Sequence, residues 1–361
     1  MMEKRFSIIT GTGSYIPSRR IKNEDFLNNE FFNSAGEKIA KSNEEIIEKF
    51  QQITGIIERR YIEDEYVTSD IGFFAAKNAI ESSGTNKENL DYIIVAHNFG
   101  DVLKSNPRSE FVPSIAARIK YKLGIENPYT VAYDLPFGCP GWLQALIQAD
   151  YFIKSGDAKR ILVIGVETLS RVSDPHDIDS MIYSDGSGAV ILEAVNSKNP
   201  VGILSHKTRS DTILHSNLLR MNKSYNPKLS LKKDIFLKMN GRKLYEYALN
   251  TVPCLVKDVI EKAGFFIRDI KKVLIHQANE KMDDAILSRL LKLYNIKKIP
   301  ENLMPMTISK LGNNSVATLP ILFDLLKKGE LKNHSIYKGD NLVFASVGAG
   351  MNVNALVYKM P

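Results

Sequence analysis

The stretch "DLPFGCPGWLQALIQADYFIKSG" (134–156) places a thiol where the chain turns into an apolar-periodic run. Cys139 is one of only two cysteines in 361 residues, and it sits between Gly138 and Pro140. Glycines at 138 and 141 permit a sharp turn and a close approach to a ligand. Pro140 suits the first turn of a helix, where its missing N–H costs nothing. At a helix start the dipole favours the thiolate, so the pKa is expected to fall below ~8.5. The free backbone N–H groups of such a turn are also ready donors to an oxyanion. The combination reads as a nucleophile rather than an inert buried thiol, although inertness is the commonest state of a free cysteine. Cys254, inside a helical pattern, reads as core.

A thiol nucleophile needs polar partners. His276 ends the apolar run "KKVLIH" and opens "HQANEKM", and the C-terminal end of a buried strand is where α/β sheets build sites. Asn313 lies in "KLGNNSVATLP", a glycine turn before a helix, the same local setting as that of Cys139. The remaining histidines, His97, His176, His206, His215 and His334, read as structural; His97 is the first-half echo of His276. "GTGSY" (11–15) lacks the later glycine and the acidic partner of a dinucleotide fingerprint and reads as a turn after the first strand. No spacing suits a metal, and none is expected.

These residues require elements to carry them, and the chain repeats its own. "AIESSGTNKENLDYIIVAH" (79–97) matches "VIEKAGFFIRDIKKVLIH" (259–276): helix end, glycine stop, turn, buried strand, histidine. "CPGWLQALIQADYFIKSGDAKRILVIG" (139–165) matches "NSVATLPILFDLLKKGELKNHSIYKGDNLVFAS" (314–346). The pairs recur in the same order, which argues for a duplicated α/β unit. Short continuous apolar runs such as "YIIVAH", "ILVIG" and "LVFASVG" are strands buried on both faces. They alternate with helical patterns, which implies mixed or parallel sheets covered by helices. The polar stretch 206–230 is a long excursion and a candidate functional loop by length.

Composition bounds the setting. With 44% hydrophobic and 25% charged residues a sizeable core can form. No apolar run of ~18 residues offers a membrane span, and the N-terminus has no signal-peptide pattern. Two distant cysteines make no disulfide framework, so the expected location is the reducing cytoplasm. The net charge is +7, and its densest group is 228–243, with Lys232, Lys233, Lys238, Arg242 and Lys243. The plain reading is a solvated helix face. No nucleic-acid motif accompanies it; an acidic carrier protein is the better functional alternative.

Along nearly its whole length the chain resembles the β-ketoacyl-acyl-carrier-protein synthase III family of the thiolase superfamily. The resemblance is carried by "GTGSYIPSRRIKN", "TGIIERRY", "DLPFGCPGW", "SDGSGAVIL", "HQAN" and "GNNSVATLP". It implies an internally duplicated thiolase-like α/β fold, two mixed sheets in an α/β/α/β/α arrangement, with halves 1–195 and 196–361. It also implies a homodimer, a Cys139–His276–Asn313 triad, and an oxyanion hole from the N–H groups of Cys139 and Gly348. The implied reaction is a decarboxylating Claisen condensation of acyl-Cys139 with a malonyl or acyl-carrier thioester, without a bound cofactor. Arg171 matches an arginine the family uses near coenzyme A, and Lys281 a basic residue of carrier docking, with Arg242 a second docking candidate. The chain departs from the pattern at Leu135, Pro136 and Phe137, and its only tryptophan is Trp142 rather than one before "TGI". Those departures favour carrier-bound or longer acyl donors, or a relative that joins two acyl chains as in dialkylresorcinol formation. A Cys-His-Asn thioester hydrolase shares the residue order but needs no duplicated halves. A non-catalytic subunit of the same fold would normally lack the cysteine.

Overall fold

The computed structural model describes residues 3–230 and 234–361, so Lys232 and Lys233 of the basic stretch lie outside the described residues. Five strands form the first sheet: β1 (Lys4–Tyr15), β2 (Tyr92–Ala96), β3 (Val131–Leu135), β4 (Arg160–Thr168) and β5 (Asp185–Ser197), in the order β1-β5-β4-β2-β3. β2 runs parallel to β3 and β4, whereas β5 is antiparallel to β1 and β4. The second sheet holds β6 (Gly202–Ser210), β7 (Ile270–Ile275), β8 (Asn341–Gly348) and β9 (Asn352–Lys359), in the order β6-β9-β8-β7. Again the two strands next to each other at one side, β7 and β8, are parallel, and β9 is antiparallel to its neighbours. Where the first sheet has β3, the second has the Leu303 carbonyl, which accepts the Val273 N–H at 2.9 Å. The repeat read from sequence is therefore a repeat of topology.

Helices fill three layers around the two sheets. α1 (Thr68–Ser83) and α2 (Ile115–Leu123) cover the outer face of the first sheet, where they meet Ile93, Val95, Leu162 and Ile164. α4 (Gly241–Lys262) and α5 (Glu280–Lys292) cover the outer face of the second. Between the sheets lie α3 (Gly141–Ser155) and α6 (Thr318–Lys327), packed against Ile94 and Val163 on one side and Leu274 and Phe344 on the other. Ile93 and Ile94 thus enter different cores: successive strand side chains point to opposite faces, which is why these strands are apolar without alternation. Trp142, Leu143, Leu146, Ile147, Ala149 and Ile153, the apolar positions of the periodic run that becomes α3, are all buried.

Two expectations are corrected here. "GTGSY" is no turn but part of the continuous strand β1; a Cβ at Gly11 or Gly13 would run into the backbone of Ala79 in α1. Cys254 lies in α4, yet it is exposed. The buried stripe of α4 runs through Ala248, Val252, Val256 and Val259, and Cys254 shares the outward face with Asn250, Asp258 and Glu261.

The sheets are brought together by close backbone contact. A Cβ on Gly188 in β5 would lie 2.7 Å from both the Ile321 nitrogen and the Pro320 carbonyl carbon of α6. Backbone atoms cannot rotate away as a side chain would. Gly188→Ala is expected to destabilise the fold by ~1–3 kcal/mol or more, as overpacking does, read as a lowered midpoint of thermal unfolding; an unchanged midpoint would show that the approach is not a constraint.

Candidate active site

Cys139 closes the loop after β3, one residue before Pro140, whose φ of −72° and ψ of −1° begin the turn into α3. His276 follows β7 directly, as His97 follows β2. Asn313 precedes α6 by a short turn. The three side chains line one cavity of about 200 Å³ together with Gly138, Gly348 and Ala349. Gly348, the last residue of β8, is pressed against the Cys139 turn: a Cβ there would lie 2.5 Å from the Cys139 nitrogen and 2.8 Å from its Cβ. Only glycine lets the two backbones meet at that distance.

The second half is clamped to the first at this point. Asn313 donates its N–H to the Ile182 carbonyl and accepts from the Ser184 N–H, both at 2.9 Å. Its Oδ1 accepts the Ser315 N–H at 2.8 Å, which leaves the amide Nδ2 as a donor for a ligand. Gln277 of the "HQAN" motif ties down the segment leading to Asn313: its Oε1 accepts from the Thr307 and Ile308 N–H groups, and its Nε2 donates to Pro305. Asn279 caps α5 by accepting the Met282 N–H at 3.1 Å.

The electrostatics differ from the expectation for the thiol. Burial pushes Cys139 up to about 11, against the pull of a hydrogen bond from Ser315, and the buried Glu167 adds to the rise. The helix start does not overcome desolvation here, because the thiol sits before the first turn among groups that shield it from water. Burial also lowers His276 to about 4, so above that pH its imidazole is neutral. His276 Nδ1 is sealed from solvent with no partner among the described residues, leaving Nε2 as the nitrogen a ligand can reach. The resting site is a neutral thiol beside a neutral imidazole.

Other residues singled out from sequence fall in different places. Arg171 is half-buried, and its Nη2 bonds the Glu63 and Tyr66 carbonyls; it is not among the residues lining the cavity. Arg242 is exposed and paired with Glu246 at 3.2 Å. It lines an outer groove of about 520 Å³ that shares Met239, Leu244, Ala278 and Met282 with the inner cavity. Lys281 is exposed on the first turn of α5, beside Met282. Lys238 is not a surface charge: it is buried against Asp174 and Asp177 and lies 3.4 Å from the Tyr225 ring centroid. The excursion after β6 folds back as paired strands Leu219–Asn222 and Phe236–Met239, which give Leu219, Met221, Leu237 and Met239 to the cavity wall. His97 is a core histidine: Nδ1 accepts the Gly100 N–H at 3.0 Å, and Nε2 lies 2.9 Å from an Asp134 carboxylate oxygen. The sequence reading passed over Asn98, Glu167 and Ser315, which surround Cys139. The signal available was Glu167, a charge inside the otherwise apolar run "ILVIGVETL".

Comparison with known proteins agrees with this geometry. The family model for 3-oxoacyl-[acyl-carrier-protein (ACP)] synthase III matches residues 133–212, and that for the C-terminal part of the same family matches 260–360. The chain is 33% identical over 353 residues to a beta-ketoacyl-[acyl-carrier-protein] synthase III of Oceanobacillus iheyensis, covering 97% of this chain and 98% of that protein. It is 34% identical to beta-ketoacyl-[acyl-carrier-protein] synthase III 1 of Vibrio vulnificus, with 96% of each covered. Among solved structures, 3-oxoacyl-[acyl-carrier-protein] synthase III from Aquifex aeolicus superposes with a TM-score of 0.78 at 29% identity, covering 98% of this chain and 99% of the other. A cysteine turn, a histidine at a strand end and an asparagine turn meet in one cavity on a duplicated fold, and the chain belongs to the 3-oxoacyl-[acyl-carrier-protein] synthase III family.

Proposed function

We propose that the protein catalyses a decarboxylating condensation of an acyl thioester with a malonyl-type thioester carried by acyl carrier protein, with Cys139, His276 and Asn313 as its catalytic residues. The observation that carries this is their convergence in one cavity against the bare Gly348 backbone. The Cys139 sulfur attacks the acyl carbonyl, and the N–H groups of Cys139 and Gly348 hold the tetrahedral oxyanion. The first thiol leaves with the proton that Cys139 gives up. The second thioester then enters. His276 Nε2–H and Asn313 Nδ2–H donate to its carbonyl, and as the C–CO₂ bond breaks its electrons pass into the enolate those donors stabilise. The carbanion attacks the acyl group, Cys139 leaves as thiolate and regains a proton, and a β-ketoacyl thioester is released. A neutral imidazole protonated at Nε2 can donate this bond while keeping its proton, and burial keeps His276 neutral above about pH 4. The thioester is its own electron sink, so the scheme needs no resident metal or organic cofactor.

The groove outside the cavity supports a carrier-borne substrate, since Lys41, Lys49 and Arg242 line it and Lys281 stands on an adjoining turn. A homodimer is part of the same reading. β3 ends the first sheet with a partner on one side only, and Phe111, Val112, Tyr129 and Val131 are exposed around it. Such an edge invites pairing with a second copy. We take 1–195 and 196–361 as the two halves. Cytoplasmic location is supported by two free thiols, and no described helix is long and apolar enough to cross a membrane.

The test is mass gain at Cys139 from a panel of acyl-CoA and acyl-carrier thioesters, followed by addition of malonyl thioester. Cys139→Ala should take up no acyl group, whereas Cys254→Ala should acylate normally; an adduct on Cys139→Ala would end this reading, as would release of free acid without a carbon–carbon bond. His276→Ala and Asn313→Ala should still acylate but lose condensation by ~10²-fold or more, and condensation at the parental rate would remove that residue from the scheme. Lys281→Glu should raise KM for carrier-bound substrate while leaving the same acyl group on N-acetylcysteamine unaffected, and salt should mimic it. Equal losses on both forms would mean that Lys281 shapes the site rather than docks a carrier.

A further inference from the structure

Glu167 stands in β4, 1% exposed, and the reaction above makes no use of it. Burying a carboxylate is costly unless its oxygens are bonded, and both turn to Asn98. Oε1 accepts the Asn98 N–H at 2.7 Å, and Oε2 accepts from Asn98 Nδ2 at 3.2 Å. Asn98 Oδ1 in turn accepts the N–H of Gly138, beside the nucleophile, at 2.9 Å. Its Nδ2 also donates to Ser315 Oγ at 3.3 Å, and Ser315 donates to the Cys139 sulfur at 3.3 Å. Each link settles the next. Burial pushes the Glu167 carboxyl up to about 7, but the amide is oriented without it: the Gly138 N–H only donates, so Asn98 must turn its Oδ1 there and its nitrogen toward Glu167. That nitrogen only donates, so Ser315 Oγ accepts from it, and the hydroxyl proton is left for the sulfur.

We propose that Ser315 is a further catalytic residue whose hydroxyl stabilises the Cys139 thiolate, and that Asn98, anchored by Glu167, is the positioning residue that holds this hydroxyl on the sulfur. The proposal rests on Cys139 being the nucleophile. The charged and titratable groups around the pair are Glu167, Tyr183 and His276 facing Cys139, and His97 and Asp185 facing Glu167. Ser315 has a φ of +50°, a left-handed backbone that glycine adopts freely. Ser315→Gly therefore deletes the hydroxyl, keeps the N–H that orients Asn313, and imposes no strain.

The measurement is the rate of Cys139 alkylation by iodoacetamide, which reacts with the thiolate, at pH 7 to 9 on the full chain, read peptide by peptide so that exposed Cys254 does not contribute, and divided by the rate of Cys139 capture by p-hydroxymercuribenzoate, which also takes the neutral thiol and reports access. Ser315→Gly should lower that ratio ~10-fold or more, as expected for a lost hydrogen bond to a charged atom. Asn98→Ala keeps the hydroxyl but frees it, and should lower the ratio by less. The double variant should go no further than Ser315→Gly alone, because Asn98 acts through the hydroxyl. A purely structural role would lower both rates together and leave the ratio in place. An unchanged ratio in Ser315→Gly, or additive losses in the double variant, would overturn the proposal. Failure of Cys139 as nucleophile would appear separately, as parental protein that takes no acyl group.

Discussion

Backbone packed on backbone, with no side chain between, is the contact on which the molecule's chemistry depends. Gly348 ends a strand of the second sheet and lies against the nitrogen of Cys139, which closes a loop of the first. Gly188 makes the corresponding approach deeper in, against the start of α6. Neither approach leaves room for a Cβ, so the two sheets have one register relative to each other. The site is a product of that register: the thiol comes from one sheet's loop, and the imidazole and the amide from turns of the other unit. The bridge from Asn313 to Ile182 and Ser184 then holds the second unit's turn on the first.

Dryness sets the charge state inside. The dipole of α3 favours a thiolate, yet burial outweighs it and Cys139 is pushed up to about 11. The same desolvation lowers His276 to about 4. The opposite directions have one cause, since both groups are held in their uncharged forms. A neutral imidazole can donate a hydrogen bond to an enolate without surrendering its proton to it. A neutral thiol, by contrast, has to be helped to ionise when substrate arrives, which gives local donors at the sulfur their value.

Charge also holds the cavity wall. Lys238 reaches from the strand Phe236–Met239 into Asp174 and Asp177, while Tyr225 covers its ammonium. Asp174 takes three further bonds, from the Ser224 hydroxyl and from the N–H groups of Tyr225 and His176. The excursion that lines the cavity beside Cys139 is thereby fastened to the segment after β4. A lysine that counts toward a basic surface in the sequence is spent on this internal anchor.

The sequence by itself determined the α/β class, the internal repeat and the buried strands, and it singled out Cys139, His276 and Asn313, which the structure brings to one cavity. These rest on local patterns: apolar runs, glycine stops, a proline at a helix start, and histidine or asparagine at element ends. Such patterns survive without knowing what packs on what. Tertiary structure alone decided that Cys254 faces water, that "GTGSY" stays in its strand, and that Lys238 is buried. It also decided the direction of the Cys139 shift and the chain from Glu167 through Asn98 and Ser315 to the sulfur. Those outcomes depend on which helix face meets the core and on hydrogen bonds between residues 69 to 217 positions apart. Burial and partnership at that separation are properties of the folded layers, and no window of sequence contains them.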